Sequence, residues 1–273
     1  MKRLIATTML SLALMAAGCS LSAQKRLTIL HTNDTHSHID PERGKELAGR
    51  GGVIERAACI DSVRKADGAK NVLLLDAGDF DQGSSYFTIL NGDLEADLLN
   101  AMGYDAVALG NHEFDNGLDE LARRCGNIKA EVVCANYDFS AFELGKYVKP
   151  YAIFKRGGLK IGVIGLLCDV RSVVSSETAS KLSFGDPAEA VKQWTPWLRE
   201  KKGCDLIVVL SHLGYIADCK LAEEVSGVDL VIGGHSHTRL SEAKTVEAPD
   251  GGVVTVVQDH CWGLSLGELH ISR

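Results

Sequence analysis

Residues 106–115 read AVALGNHEFD: four apolar residues, a glycine, and then an amide, an imidazole and two carboxylates within five positions. A short apolar run closed by glycine reads as a buried strand, and its end delivers a cluster of metal-competent groups. The same arrangement recurs on both sides of it. LTILHTND leads into THSH at residues 27–38, VLLLDAGD fills residues 72–79, LIVVLSH residues 206–212 and LVIGGHSH residues 230–237. Asp34 and His36, Asp79, Asn111, His212, His235 and His237 are therefore candidate ligands at the ends of five apolar runs. A lone Asp in such a place is more often a surface carboxylate, and a lone His a hydrogen-bonded core residue. Five runs ending alike favour coordination, because donors on neighbouring strand ends converge on one crevice above a sheet.

Helical stretches alternate with these runs. Helices are expected near Gly52–Lys65, Leu94–Met102, Leu118–Arg124 and from Asp186 to Lys202, the last opened by Asp186-Pro187-Ala188-Glu189 with a cap, a proline at the first turn and an acid. Strands are expected at Leu27–Thr32, Val72–Leu75, Ala106–Leu109, Val132–Ala135 and Leu206–Leu210, and Tyr151–Phe154 with Lys160–Cys168 forms a hairpin about Arg156-Gly157-Gly158. The tail, Lys244–Glu247, Val253–Val257 and Leu264–Ile271, reads as antiparallel strands. The fold class is α/β with mixed sheets.

Met1-Lys2-Arg3 and the apolar stretch Leu4–Ala17 have the form of a signal peptide covering residues 1–18. The run is shorter than the roughly 20 residues of a spanning helix. Leu14–Ser20 resembles a bacterial lipobox, although Ala16 stands where leucine is commoner; Cys19 is then the lipidated first mature residue, followed by a short tether, 19–26, and one domain, 27–273. The expected location is periplasmic, anchored by lipid to a bacterial membrane. The other seven cysteines show no C-x-x-C pair or zinc-ribbon spacing. A formal charge of −7 without a Lys/Arg cluster beyond the leader excludes the groove of a nucleic acid polymer binder. A small anionic substrate stays compatible, since dications supply a local positive field.

Asp34 and His36, two apart at a strand end, can share one ion. The carboxylate of Asp79 can bridge two cations about 3.5–4 Å apart; Asn111, His212 and His235 then fit the second ion, and His237 completes the first. Asn111 alone would read as a turn residue after Gly110. This mixed donor set suits two divalent ions, Zn²⁺, Mn²⁺, Fe²⁺ or Co²⁺ alike. No Gly-x-Ser-x-Gly elbow occurs, and Gly49–Gly52 lacks the Lys-Ser/Thr ending of a phosphate loop.

In order, Asp34-Thr35-His36, Gly78-Asp79, GNHE at 110–113, Ser211-His212 and GHSH at 234–237 resemble the motifs of the calcineurin-like metallophosphoesterases. The wider strings GDFDQGSS, LLNAMGYDAVALGNHEFDNG, CANYDF, KIGVIGL and IGGHSHT are similar to the amino-terminal catalytic domain of bacterial and animal 5′-nucleotidases, over residues 27–271. The resemblance implies a four-layer α/β/β/α sandwich and the same seven ligands to two metals. It also implies a catalytic dyad of His112 and Asp115, whose spacing suits one face of a helix starting after Gly110. The implied reaction is hydrolysis of a phosphate monoester, 5′-nucleotide to nucleoside and phosphate, by metal-activated hydroxide in line with the leaving oxygen. Two alternatives remain: a 2′,3′-cyclic nucleotide or nucleotide-sugar phosphodiesterase of the same fold, and a non-catalytic metal-binding lipoprotein. Full-length relatives hold the base with aromatics of a carboxy-terminal domain, which is not expected here; a separate nucleotide-binding domain protein is an expected partner. The low aromatic content, 6%, offers no obvious replacement.

Overall fold

The structure, a computed structural model, describes residues 25–172 and 174–272. The signal peptide, the lipobox and Cys19 lie outside the described residues. In chain order the first half holds β1 (Arg26–Thr32), α1 (Val53–Asp67), β2 (Val72–Asp76), α2 (Ser85–Leu90), α3 (Asp93–Met102), β3 (Ala106–Ala108), α4 (Gly117–Asn127), β4 (Glu131–Val133) and β5 (Val148–Lys149). The second half holds β6 (Tyr151–Arg156), β7 (Leu159–Leu167), α5 (Ser176–Lys181), α6 (Pro187–Pro196), β8 (Leu206–His212), α7 (Tyr215–Glu224), β9 (Leu230–Gly233), β10 (Lys244–Glu247), β11 (Val253–Val257) and β12 (Gly267–Ser272).

Two sheets result, ordered β12-β1-β2-β3-β4-β5 and β10-β11-β9-β8-β7-β6. Neighbours from β1 to β5 and from β7 through β8 and β9 to β11 run parallel, while β12, β6 and β10 add antiparallel edges. Parallel strands covered on both faces read as unbroken apolar runs, and every residue of β2 and β8 is buried. Leu73, Leu75, Val163, Val208 and Ile232 form the core between the sheets. Outside the first sheet, Ile60, Leu99 and Leu121 of α1, α3 and α4 pack on Leu74 and Val107; outside the second, Val191 and Leu221 of α6 and α7 pack on Val209 and Val231. The layers are thus α/β/β/α, as the resemblance implies.

The Asp186 carboxylate accepts from the N–H groups of Ala188 and Glu189, and α6 continues into a π-helical turn, Trp197–Lys201. The hairpin of β6 and β7 is antiparallel, with Arg156 opposite Leu159. The expected helix start is corrected: the residues after Gly110 form a 3₁₀ turn, His112–Phe114, and α4 begins only at Gly117. Helices α2, α5 and α7 have no counterpart among the expected elements. The tail strands are antiparallel as expected, β10 to β11 within one sheet, and β12 to β1 in the other.

Candidate metal centre

The parallel strands of both sheets point their C-terminal ends toward one rim. Asp34 and His36 follow β1, Asp79 follows β2, Asn111 follows β3, His212 ends β8, and His235 and His237 follow β9. Leaving a strand so sharply requires unusual backbone. Asp34, His36, Asp79, His235 and His237 all have φ between 46° and 73°, the left-handed region that non-glycine residues seldom enter and that marks functional loops when the surroundings enforce it. Here the loops brace one another: the N–H of Asp34 donates to Gly78 O (2.9 Å), that of His36 to Asp79 O (3.0 Å) and that of Trp262 to Asp34 O (2.7 Å).

Three donor sets overlap here, joined at His36 and at Asp79. Ligand atoms of Asp34, His36 and His237 lie within 4.8 Å of one another, as do those of Asp79, His212 and His235, and His36, Asp79 and His112 form a third such group. Asp79 Oδ2 is 3.0 Å from His212 Nε2 and 3.9 Å from His36 Nε2. His36 and His237 face each other through Nε2 atoms 2.9 Å apart. Asn111 is buried beside this group, its Oδ1 3.9 Å from Cys168 Sγ. Six of the seven candidate ligands fall in these groups, and Asn111 follows directly on Gly110, where a Cβ would fall 2.2 Å from Asp79 Oδ1.

Electrostatics show what the cavity calls for. Burial works against charge on His212, yet Asp79 overrides it and pushes the imidazole up to about 10. His237 likewise rises to about 10 through its hydrogen bonds to Asp34 and Cys261. Burial opposes ionisation of Asp79 too, but His212 and His36 hold its carboxyl well below the usual carboxylate range. His36 and His235 are pushed down, first by burial. The two carboxylates thus draw in positive charge, here as protons on imidazoles. His212 adds a second sign of fit: Nδ1 lies 2.7 Å from the Ala77 carbonyl, and buried Nε2 faces Asp79 Oδ2 at 3.0 Å. An imidazole tied down at one nitrogen by a backbone carbonyl presents its other nitrogen in a fixed direction, as a metal-ligating imidazole does.

His112 lies beside the candidate ligands, its ring centroid 5.3 Å from that of His36. Its Nδ1 is 2.8 Å from Asp115 Oδ2, and the two side chains remain 30% and 27% exposed. The 3₁₀ turn eclipses residues three apart, so the pair meets although no α-helix starts here. The Asp115 hydrogen bond holds the imidazole above its ordinary range against partial burial.

Some contributors gave no signal in the sequence reading. Asn33 donates to Asp34 Oδ2 (2.6 Å) and to His260 O (2.7 Å), and the N–H of His235 reaches both Asp34 oxygens at 3.0 Å. Trp262 stacks on His38, ring centroids 4.9 Å apart. Glu113 accepts three backbone N–H groups of the ligand loops. Asn33 and Glu113 both sit inside the motifs already quoted.

Residues 27–239 match the family model of the calcineurin-like phosphoesterases. The chain belongs to that family. Among relatives of this phosphoesterase, the snake venom 5′-nucleotidase of Naja atra is 37% identical over 90% of this chain and 50% of its own length, and the 5′-nucleotidase of Diplobatis ommata 36% over 96% and 49%. The chain therefore spans about half the length of the curated relatives it matches. The crystal structure of a 5′-nucleotidase precursor from Thermus thermophilus superposes with a TM-score of 0.83 at 39% identity, covering 90% of this chain and 51% of that one.

Proposed function

We propose that this phosphoesterase domain is a two-metal phosphomonoesterase that hydrolyses 5′-nucleotides to nucleosides and phosphate. The observation that carries the reading is the chain of overlapping donor sets Asp34–His36–His237, His36–Asp79–His112 and Asp79–His212–His235, with Asp115 hydrogen-bonded to His112 at its edge. The names of the relatives support the substrate class. Asp34, His36, Asp79 and His237 would hold one ion, and Asp79, Asn111, His212 and His235 the other. Two divalent cations so bound supply Lewis acidity, acidifying a water and offsetting negative charge on the phosphoryl group. The chain's own residues do the rest. With Nδ1 committed to Asp115, His112 has Nε2 free to carry a proton to the departing ester oxygen. Asp115 keeps that imidazole in one tautomer and favours its protonated form. The backbone N–H of His112 donates to Asp79 Oδ1 (2.9 Å), so the proton carrier and the shared carboxylate are fixed relative to each other.

The charged, apolar leader and the lipobox-like Leu14–Ser20 support export, with Cys19 as a lipid anchor in the periplasm. Among the described residues no helix is long and apolar enough to cross a membrane. A separate nucleotide-binding protein would supply contacts to the base. The reading is tested by elemental analysis of purified protein together with a panel of nucleoside monophosphates, cyclic nucleotides and sugar nucleotides in Mn²⁺ or Zn²⁺. We expect two metal equivalents and fastest turnover of a 5′-monophosphate. Metals bound without turnover of any panel member rejects it.

A further inference from the structure

We propose that Glu113 is a positioning residue that sets the spacing between Asp79 and Asn111 and so tunes the affinity for the ion those two share. The inference rests on the ligand assignment above.

Glu113 is fully buried. Its Oε2 accepts from the N–H of Asp79 (2.9 Å) and from the N–H of Gly110, and its Oε1 accepts from the N–H of Asp81 (3.1 Å). One carboxylate therefore ties the loop after β2 to the loop after β3, each time at a candidate ligand or a residue close beside it. The two loops are in close contact, since a Cβ on Gly78 would fall 2.6 Å from the Gly110 nitrogen. Asp79 has φ 56°, a conformation that non-glycine residues hold only where the surroundings enforce it. Toward β1 the loop is secured by Gly78 O and Asp79 O accepting from Asp34 and His36. On the opposite side, the amides of Asp79 and Asp81 are secured by Glu113.

The clasp is itself anchored. Arg124, fully buried, donates from Nη2 to the Glu113 carbonyl (2.6 Å) and lies 2.8 Å from Asp81 Oδ2. Its charge offsets the carboxylates behind the ligand loops, and its fork fixes both the turn that carries Glu113 and the loop that Glu113 grips. A glutamine in place of Glu113 keeps the shape, but one acceptor oxygen becomes an amide donor facing a backbone N–H. At least one buried N–H then loses its partner, and the left-handed loop relaxes.

Partners behind metal ligands typically alter affinity by roughly 10–100-fold. For Glu113→Gln we expect calorimetric titration with Mn²⁺ alone to show the site served by both Asp79 and Asn111 weakened by about that factor, and the other, which uses Asp79 alone of the two, weakened less. Turnover of a phosphate ester at saturating Mn²⁺ should return to within a few-fold of the parent. Equal Mn²⁺ affinities in parent and variant, or a turnover defect that saturating Mn²⁺ leaves in place, overturns the proposal. Should Glu113→Gln fail to fold, Glu113→Asp keeps the charge on a shorter arm and is expected to weaken the same site several-fold; unchanged affinity there overturns it equally. A parent protein that binds fewer than two Mn²⁺ refutes the ligand assignment first, whereas two ions held equally by parent and variant refutes only the role of Glu113.

Discussion

A Cβ at Gly110 would fall 2.2 Å from Asp79 Oδ1, so the residue that precedes one candidate ligand leaves room for another. Gly110→Ala is expected to cost about 1–3 kcal/mol of stability through overpacking and to displace Asp79, lowering Mn²⁺ affinity; thermal unfolding and metal titration read both effects. His112 lies at the other extreme, because its ring meets only the edge of His36 while its Nδ1 is committed to Asp115. His112→Ala should retain two metal equivalents by elemental analysis while kcat drops by about 10²–10⁴, the usual range for a lost general acid. Loss of metal in that variant would mean that His112 is a ligand. The seven candidate positions could be picked out because few side chains coordinate metals and each stands just past an apolar run. Glu113 and Asn33 were not, since accepting or orienting a backbone or carboxylate neighbour leaves no signature in residue type.

Among the elements, α6 was legible because its cap is written in adjacent residues, whereas α7 was not. Its sequence, YIADCKLAEE, starts after Gly214 without a capping side chain and buries only Asp218, Leu221 and Ala222. That Asp218 is fully buried: Ser211 donates to its Oδ1, and Oδ2 has no partner among the described residues. Burial raises its carboxyl from 3.8 to about 7, against the Ser211 hydrogen bond and the His212 charge. A folded value above the unfolded one means that the native state holds a proton the unfolded chain has lost. The associated stability is complete below 3.8 and disappears as pH rises through about 7. Asp218→Asn keeps an acceptor for Ser211 and cannot ionise, so its Tm should fall less than the parent's between pH 5 and 8. Parallel Tm curves for the two proteins would contradict this account.

At the scale of the molecule, the candidate ligands come from both sheets, with Asp34, His36, Asp79 and Asn111 from one and His212, His235 and His237 from the other. Ions gripped by all of them would join the two inner layers as a clip. Chelation should therefore lower Tm: at a metal concentration 100 times Kd the bound state gains about 2.7 kcal/mol, or roughly 5–10 °C for a chain of this size. A Tm indifferent to chelator and to added Mn²⁺ would show that no such clip exists. The alternation of strands and helices could be read from apolar runs and their spacing and the layer order only from the resemblance, but the placement of β12 could not, because pairing between distant segments leaves no local mark.

Placing β12 beside β1, with Arg26 opposite Ser272, has a bearing on biosynthesis. The opening strand waits on the ribosome with an exposed flank until the closing strand emerges, and contacts so remote along the chain form slowly. The pairing that closes this edge of the sheet can therefore form only after residues 267–272 have been made.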